Sequence, residues 1–134
     1  MSAAWTEDEL RRIGAATELQ IASRRRDGSL RPYVTIWTVR ASDDLYVRSA
    51  YGTGNPWFRR ATTSAIGRIR AGGIERDVSF APVDEADAKT HAEIDAAYHA
   101  KYDRYGPQIV RAVTGPHAAA GTLRLARQSA PDTH

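Results

Sequence analysis

Apolar and polar positions alternate along this chain on two periods. Between Thr6 and Glu18, Leu10, Ile13 and Ala16 recur at helical spacing. Thr6 opens that run and Glu9 follows three residues later, a capping box in which each side chain serves the other's backbone amide. A first helix is predicted there. From Leu19 the period falls to two. Leu19, Ile21 and Ser23 share one face; Gln20, Ala22 and Arg24 share the other. Asp27-Gly28 supplies a hairpin turn. Residues 32–40, "PYVTIWTVR", place β-branched or aromatic groups on both faces, which predicts one strand buried on both sides. "SDD" at 42–44 turns the chain into a strand at 45–50, with Leu45, Val47 and Ser49 on one face. Residues 65–80 read as a second hairpin turning at Gly72-Gly73, with Ile74, Arg76, Val78 and Phe80 aligned.

After Pro82 the helical period returns. Residues 84–106 form a predicted helix with acids in its first turn, where the helix dipole favours them, and Gly106-Pro107 at its end. Ile94, Ala97, Tyr98, Lys101, Tyr102 and Tyr105 make a stripe along it. "QIVRAV" reads as a short helix, residues 122–128 as a last strand, and the tail from Ser129 as a frayed end. A small antiparallel sheet avoids open edges by curling on itself. The predicted fold class is therefore α+β: an antiparallel split β-barrel of about six strands, with an N-terminal helix and a C-terminal helical segment, as a single domain over 1–134.

Composition narrows the function classes. A chain of 134 residues, 42% apolar, is one domain with enough core to fold without staples. The absence of Cys excludes disulfides and thiolate chemistry. No basic segment leading into an apolar run opens the chain, and no run nears 18 apolar residues, so a soluble cytoplasmic protein with no membrane partner is expected. Net charge is +3, and Lys89 and Lys101 are the only lysines among 19 basic residues. The arginines are interleaved with acids except at Arg24-Arg25-Arg26. A basic stripe with aromatic platforms is missing, so nucleic acid is not an expected partner.

The chemistry concentrates in "YGTGNPWFRRA", residues 51–61. Asn55 is a preferred N-cap and Pro56 a preferred first helical residue. The helix they open presents unpaired N–H groups to an anion. Gly52 and Gly54 let backbone approach a ligand. Ser49 and Thr53 add hydroxyls, and Arg48, Arg59 and Arg60 add charge that forks onto phosphate. A plain loop into a helix whose Trp57 and Phe58 fill the core explains the same residues. The spacing is neither a dinucleotide fingerprint, since Trp57 stands at the third glycine position, nor a P-loop. His91 and His99 are eight apart, whereas a zinc helix offers His at i and i+4, so a solvated pair and no metal are expected. His99, near Tyr98, Tyr102 and Asp103, is a candidate general base; Tyr51 and Tyr102 are further catalytic candidates. The tyrosine stripe also reads as packing. No Ser-His-Asp pattern with a nucleophile elbow is visible.

One arrangement of these parts resembles a known one. A basic turn (Arg26 to Pro32), a strand (Tyr33 to Arg40), a strand ending in Ser49-Ala50, then Pro56-Trp57-Phe58, Gly72-Gly73 and Arg76-Asp77-Val78 follow one another in order. This order resembles the flavin-binding split-barrel superfamily, the relatives of pyridoxamine 5'-phosphate oxidase and of the deazaflavin-dependent nitroreductases. The nitroreductase likeness spans about residues 24–83. From Trp5 to Arg127 the chain resembles the family called domain of unknown function 2255, in the same superfamily. Asn55 stands where the nitroreductases carry a basic residue. The resemblance implies a homodimer with a ligand site at its interface and FMN or deazaflavin as cofactor. It implies cofactor-binding roles for Thr35, Trp37, Arg48, Ser49, Tyr51, Gly52, Asn55, Trp57 and Arg60. The implied function is a flavin- or deazaflavin-dependent oxidoreductase acting on a small organic substrate. A cofactor-independent enzyme on the same scaffold and a non-catalytic ligand-binding protein are the alternatives.

Overall fold

A computed structural model of the chain describes residues 2–50 and 52–128. Tyr51 and the tail from Ser129 lie outside the described residues. Strand β1 (Ser2–Ala3) precedes helix α1 (Glu7–Ala15), and β2 (Leu19–Ser23) leads to β3 (Val34–Ile36), β4 (Val39–Ala41) and β5 (Asp44–Arg48). Helix α2 (Pro56–Ser64), the hairpin β6 (Ile66–Ala71) and β7 (Ile74–Pro82), and helix α3 (Ala88–Tyr102) follow. Two one-turn helices, α4 (Pro107–Val110) and α5 (Pro116–Ala119), lead into β8 (Thr122–Gln128).

The strands form one antiparallel sheet in the order β3-β2-β6-β7-β8-β5-β4, with β1 added beside β8. The two ends of that order, β3 and β4, are separated in the chain by Trp37 and Thr38 alone. A sheet whose first and last strands are two residues apart must curl, and this one is a half-barrel. The chain's last strand sits inside the sheet, between β7 and β5.

The α+β half-barrel agrees with the expectation from sequence, with two boundary corrections. Residues 32–40 are two strands and not one, because the same extended run pairs with β2 through Val34–Ile36 and with β5 through Val39–Ala41. The break frees backbone groups, and α3 supplies their partners. Tyr102 Oη accepts from Thr38 N–H (3.2 Å) and donates to Thr17 O (2.7 Å). Thr38 Oγ1 donates to Tyr46 O (3.0 Å). The third helix begins at Ala88 and not at Asp84. Asp87 is its N-cap, accepting from Thr90 N–H at 3.2 Å, and Asp84 and Glu85 precede it.

Two buried clusters stabilise the fold. The first lies within the curl: Leu19, Ile21, Leu45, Val47, Ile69 and Leu123 meet Trp57 and Phe58 from α2. Each such large side chain contributes about 1.5–3 kcal/mol by leaving water. The second covers the opposite face of β4–β5 with Ile94, Tyr98 and Tyr102 from α3 and with Val110 and Val113. Strand β5 alternates between them, Leu45 and Val47 toward one, Tyr46 toward the other. Helix α1 starts with the expected capping box. Its Glu9 is buried and receives Arg76 Nε (2.7 Å) and Arg127 Nε (3.1 Å) from β7 and β8. Burial alone would raise that carboxyl, but the Thr6 amide and the two arginines outweigh it and hold it below the usual range.

Candidate functional site

Five of the sequence-derived candidates line one cavity. Thr35 and Trp37 approach it along and just past β3, Arg48 from the end of β5, and Asn55 and Trp57 from the start of α2. The cavity has a volume of about 350 Å³, within the range of small-ligand pockets. Ile109, Ala112 and Val113 close it from the segment after α3.

The local chain explains each placement. Asn55 has extended backbone, and its carbonyl accepts from Phe58 N and Arg59 N at 3.1 Å. Its side chain makes no capping bond and stays available at the cavity wall. Trp37 lies flat on Tyr102, with ring centroids 3.9 Å apart and planes within 6°. The Tyr102 phenol therefore stands behind the cavity wall. Burial pushes it up to about 12, so it is protonated at neutral pH.

Arg48 contributes to the wall but its guanidinium is turned into the protein. Nε donates to Thr122 Oγ1 (2.9 Å), one terminal nitrogen to Asp95 Oδ1 and Val113 O (2.9 Å for the carbonyl), and the other to His91 Nδ1 (3.0 Å). A guanidinium has donors only, so Nδ1 is the acceptor, and His91 Nε2 then donates to Asp84 O (2.9 Å). His91 is thus buried structure, where a solvated histidine was expected. One charged side chain ties β5, β8, α3 and the turn at Val113 together beneath the cavity.

The remaining candidates lie elsewhere. Ser49 is fully buried and donates to Gly52 O (2.6 Å), shaping the turn before α2, and Gly52 has φ +97°, which favours glycine. His99 is exposed on α3 and pairs with Asp103 at 2.9 Å. Tyr51 is outside the described residues. Arg60 faces a second feature, a groove of about 870 Å³ lined by six arginines: Arg24, Arg25, Arg26, Arg31, Arg59 and Arg60. Of the six, Arg24 alone has a carboxylate partner among the described residues, Asp77 at 3.0 Å. A small cleft lined by Val34, Trp57, Arg31 and Arg60 shares walls with both cavity and groove.

The sequence reading missed Ile109, Ala112 and Val113, because apolar residues in a short predicted helix carry no chemical signal. It set Arg24–Arg26 apart as the one run of arginines not interleaved with acids, without the groove. That run and α2 are about thirty residues apart, and only the β2–β6 and α2 packing brings them together.

The family model described as "uncharacterized protein conserved in bacteria (DUF2255)" matches residues 9–125. The chain belongs to this family. No curated protein matches it in sequence. Among solved structures it is similar to an F420 reductase, with TM-score 0.54 and 16% identity over 94% of this chain and 97% of that one. It is also similar to an FAD-binding protein from Mesorhizobium loti, with TM-score 0.54 and 14% identity over 96% of this chain and 94% of that one. The FAD and heme binding protein from Mycobacterium smegmatis gives TM-score 0.52 and 19% identity over 98% of this chain and 69% of that one. At these identities the shared property is the split-barrel fold.

Proposed function

We propose that the protein is an oxidoreductase that uses a flavin or deazaflavin to act on a small organic substrate. One observation carries this reading: an aromatic-walled cavity and an arginine-lined groove meet at Trp57 and Arg60. A planar ring system joined to an anionic chain needs both surfaces. Trp37 and Trp57 would border the ring, Asn55 would offer it an amide, and the arginines would hold the phosphate end by forked hydrogen bonds. The bound cofactor would supply hydride chemistry, which explains a cavity with few titratable side chains. The chain's residues bind, orient and exclude water.

The reading includes a second copy of the chain over the cavity mouth. Ile109 lies on the cavity and is 54% exposed, and Tyr105 nearby on the Trp37 and Tyr102 rings is 45% exposed. Such apolar groups beside a cavity are what an interface covers. Light scattering is expected to give twice the chain mass.

The test is titration with FMN and with a deazaflavin, read by quenching of tryptophan fluorescence. Dissociation constants on the order of micromolar are expected for one of them. Arg59→Glu with Arg60→Glu should weaken that binding by about tenfold or more and flatten its salt dependence. Failure of both compounds to bind would overturn the proposal. Binding that ignores the double variant would remove the groove from the cofactor site.

A further inference from the structure

His91 is buried on α3, whereas His99 and His117 are exposed. Its ring makes both of its bonds only as the neutral tautomer with the hydrogen on Nε2. Nε2 donates to Asp84 O (2.9 Å), and Nδ1 accepts from one terminal nitrogen of Arg48 (3.0 Å). The other terminal nitrogen of Arg48 donates to Val113 O (2.9 Å) and to Asp95. Through one guanidinium, His91 therefore reaches the carbonyl of a residue that lines the cavity.

Among the described residues, hydrogen bonds tie residues 107–115 to the sheet and to α3 at two points. One is the bond from Arg48 to Val113 O. The other runs from Gly115 N–H to the Asp95 carboxylate (3.3 and 3.4 Å), and Asp95 is the counterion of Arg48. Both depend on where the Arg48 guanidinium lies. With His91 neutral, Arg48 and Asp95 balance each other. The other charged groups beside the ring are Asp84 and Asp87, on the N-terminal side of α3. The Asp84 carboxylate accepts from Ala86 N–H (2.9 Å), and the Asp87 carboxylate from Thr90 N–H and Oγ1 (3.2 and 2.7 Å). Tyr98 lies 5.8 Å from the guanidinium carbon, and burial pushes its phenol far up, so it stays neutral. Thr122, from β8, brings no charge. A second proton on His91 sets an N–H and a positive charge against a guanidinium that has no lone pair to receive them.

We propose that His91 is a positioning residue for the cavity: as a neutral ring it fixes Arg48, and through Arg48 the Val113 turn, and a second proton on the ring releases that wall. The protonated ring turns from Arg48 toward the Asp87 carboxylate. Arg48 loses an acceptor and gains a neighbouring cation, so its guanidinium moves toward Asp95 and lets go of Val113 O. The turn at 111–113 then shifts off the cavity, while Val110, packed with Ile94 and Tyr98, keeps the rest of the segment in place. The wall is held above the titration of the ring and loosened below it. The inference rests on the cavity's geometry and not on which molecule fills it, so its failure is separate from failure of the cofactor reading.

The test follows isotope-labelled protein by NMR with no added ligand. An ordinary histidine titrates at about pH 6.5, so a series from about pH 8 to about pH 5 samples both forms. The Val113 amide and the Trp37 and Trp57 indole signals are expected to shift with the same midpoint as the His91 ring. The Trp5 indole, bonded to Leu125 O (2.9 Å), should stay. His91→Gln keeps an acceptor for Arg48 and a donor for Asp84 O but cannot take up a proton. It should fold and abolish those shifts, whereas His99→Gln and His117→Gln should leave them. Far-UV circular dichroism should hold constant through the series. Val113 and Trp37 signals that do not follow the His91 midpoint, or that still shift in His91→Gln, would overturn the proposal. Loss of the far-UV signal at that midpoint would overturn it too, because the change would then be unfolding of the whole protein. If His91→Gln does not fold, the wild-type midpoints decide alone.

Discussion

The half-barrel interior and the α3 layer bury similar kinds of elements by different means. Within the curl, the inward residues of β2, β5, β6, β7 and β8 are aliphatic apart from Phe80, and apolar packing holds them. Under α3, tyrosines, a histidine and an arginine are buried among the aliphatics, and named hydrogen bonds hold them in place. The difference follows from the backbone each side must cover. The curl is lined by continuous strands that satisfy their own polar groups. The α3 layer covers the break at Trp37–Thr38 and the turn at Val113, where carbonyls and amides need outside partners. Polarity in the second cluster is therefore the complement of an interrupted sheet. The cavity opens beside that same interruption.

The sharpest way to break this contrast is to remove the arginine. Arg48→Met leaves the Val113 carbonyl and His91 Nδ1 without this donor in the core, and leaves Asp95 with the Gly115 amide but no cation. Taking one partner from a buried ion pair costs about 3–5 kcal/mol, and the lower end applies here because Asp95 is partly open to water. The urea midpoint should fall accordingly, and Arg48→Met with Asp95→Asn should recover part of it. A loss under about 1 kcal/mol for the single variant would mean that the α3 layer is held by packing, as the curl is.

The matching test inside the curl is steric. A Cβ on Gly67 would lie 2.1 Å from the Ala22 carbonyl and 2.9 Å from the Phe80 ring. Gly67→Ala must push β2 from β6 or displace Phe80, and overpacking of this kind costs about 1–3 kcal/mol. Equilibrium unfolding measures it, and amide exchange should show the loss at β2 and β6. No measurable change would argue that the curl has slack.

The same contrast explains what was legible in the chain. Period-two alternation at 19–23 and 45–48, Asp27-Gly28 and Gly72-Gly73 are local signals, and they placed the barrel strands. The Asn55-Pro56 helix start was equally local, and it marked one wall of the cavity. The break at Thr38 was not legible, because "PYVTIWTVR" has the propensity of one strand throughout. Only sheet closure, a property of all strands together, splits it. His91 and Arg48 look like surface residues by type, and their burial depends on a contact between residues more than forty positions apart. The arginine groove was hidden for the same reason: its two sides come from the turn after β2 and from α2.

The smallest expected effect separates two tyrosines one turn apart on α3. Tyr102 Oη bonds to Thr38 N and Thr17 O, bridging the strand break to the end of α1. Tyr98 Oη is fully buried and has no hydrogen-bond partner among the described residues. Tyr102→Phe leaves those backbone groups unpaired and should cost about 1–2 kcal/mol. Tyr98→Phe removes a hydroxyl that is dehydrated and unpaired, so stability should stay level or rise by up to about 1 kcal/mol. Burial pushes both phenols up, Tyr98 the further, so neither ionises near neutral pH and the difference should hold across that range. Equal losses for the two variants in urea unfolding would mean that the α3 layer responds to lost volume alone, and the distinction between its polar packing and the aliphatic curl would fail at that point.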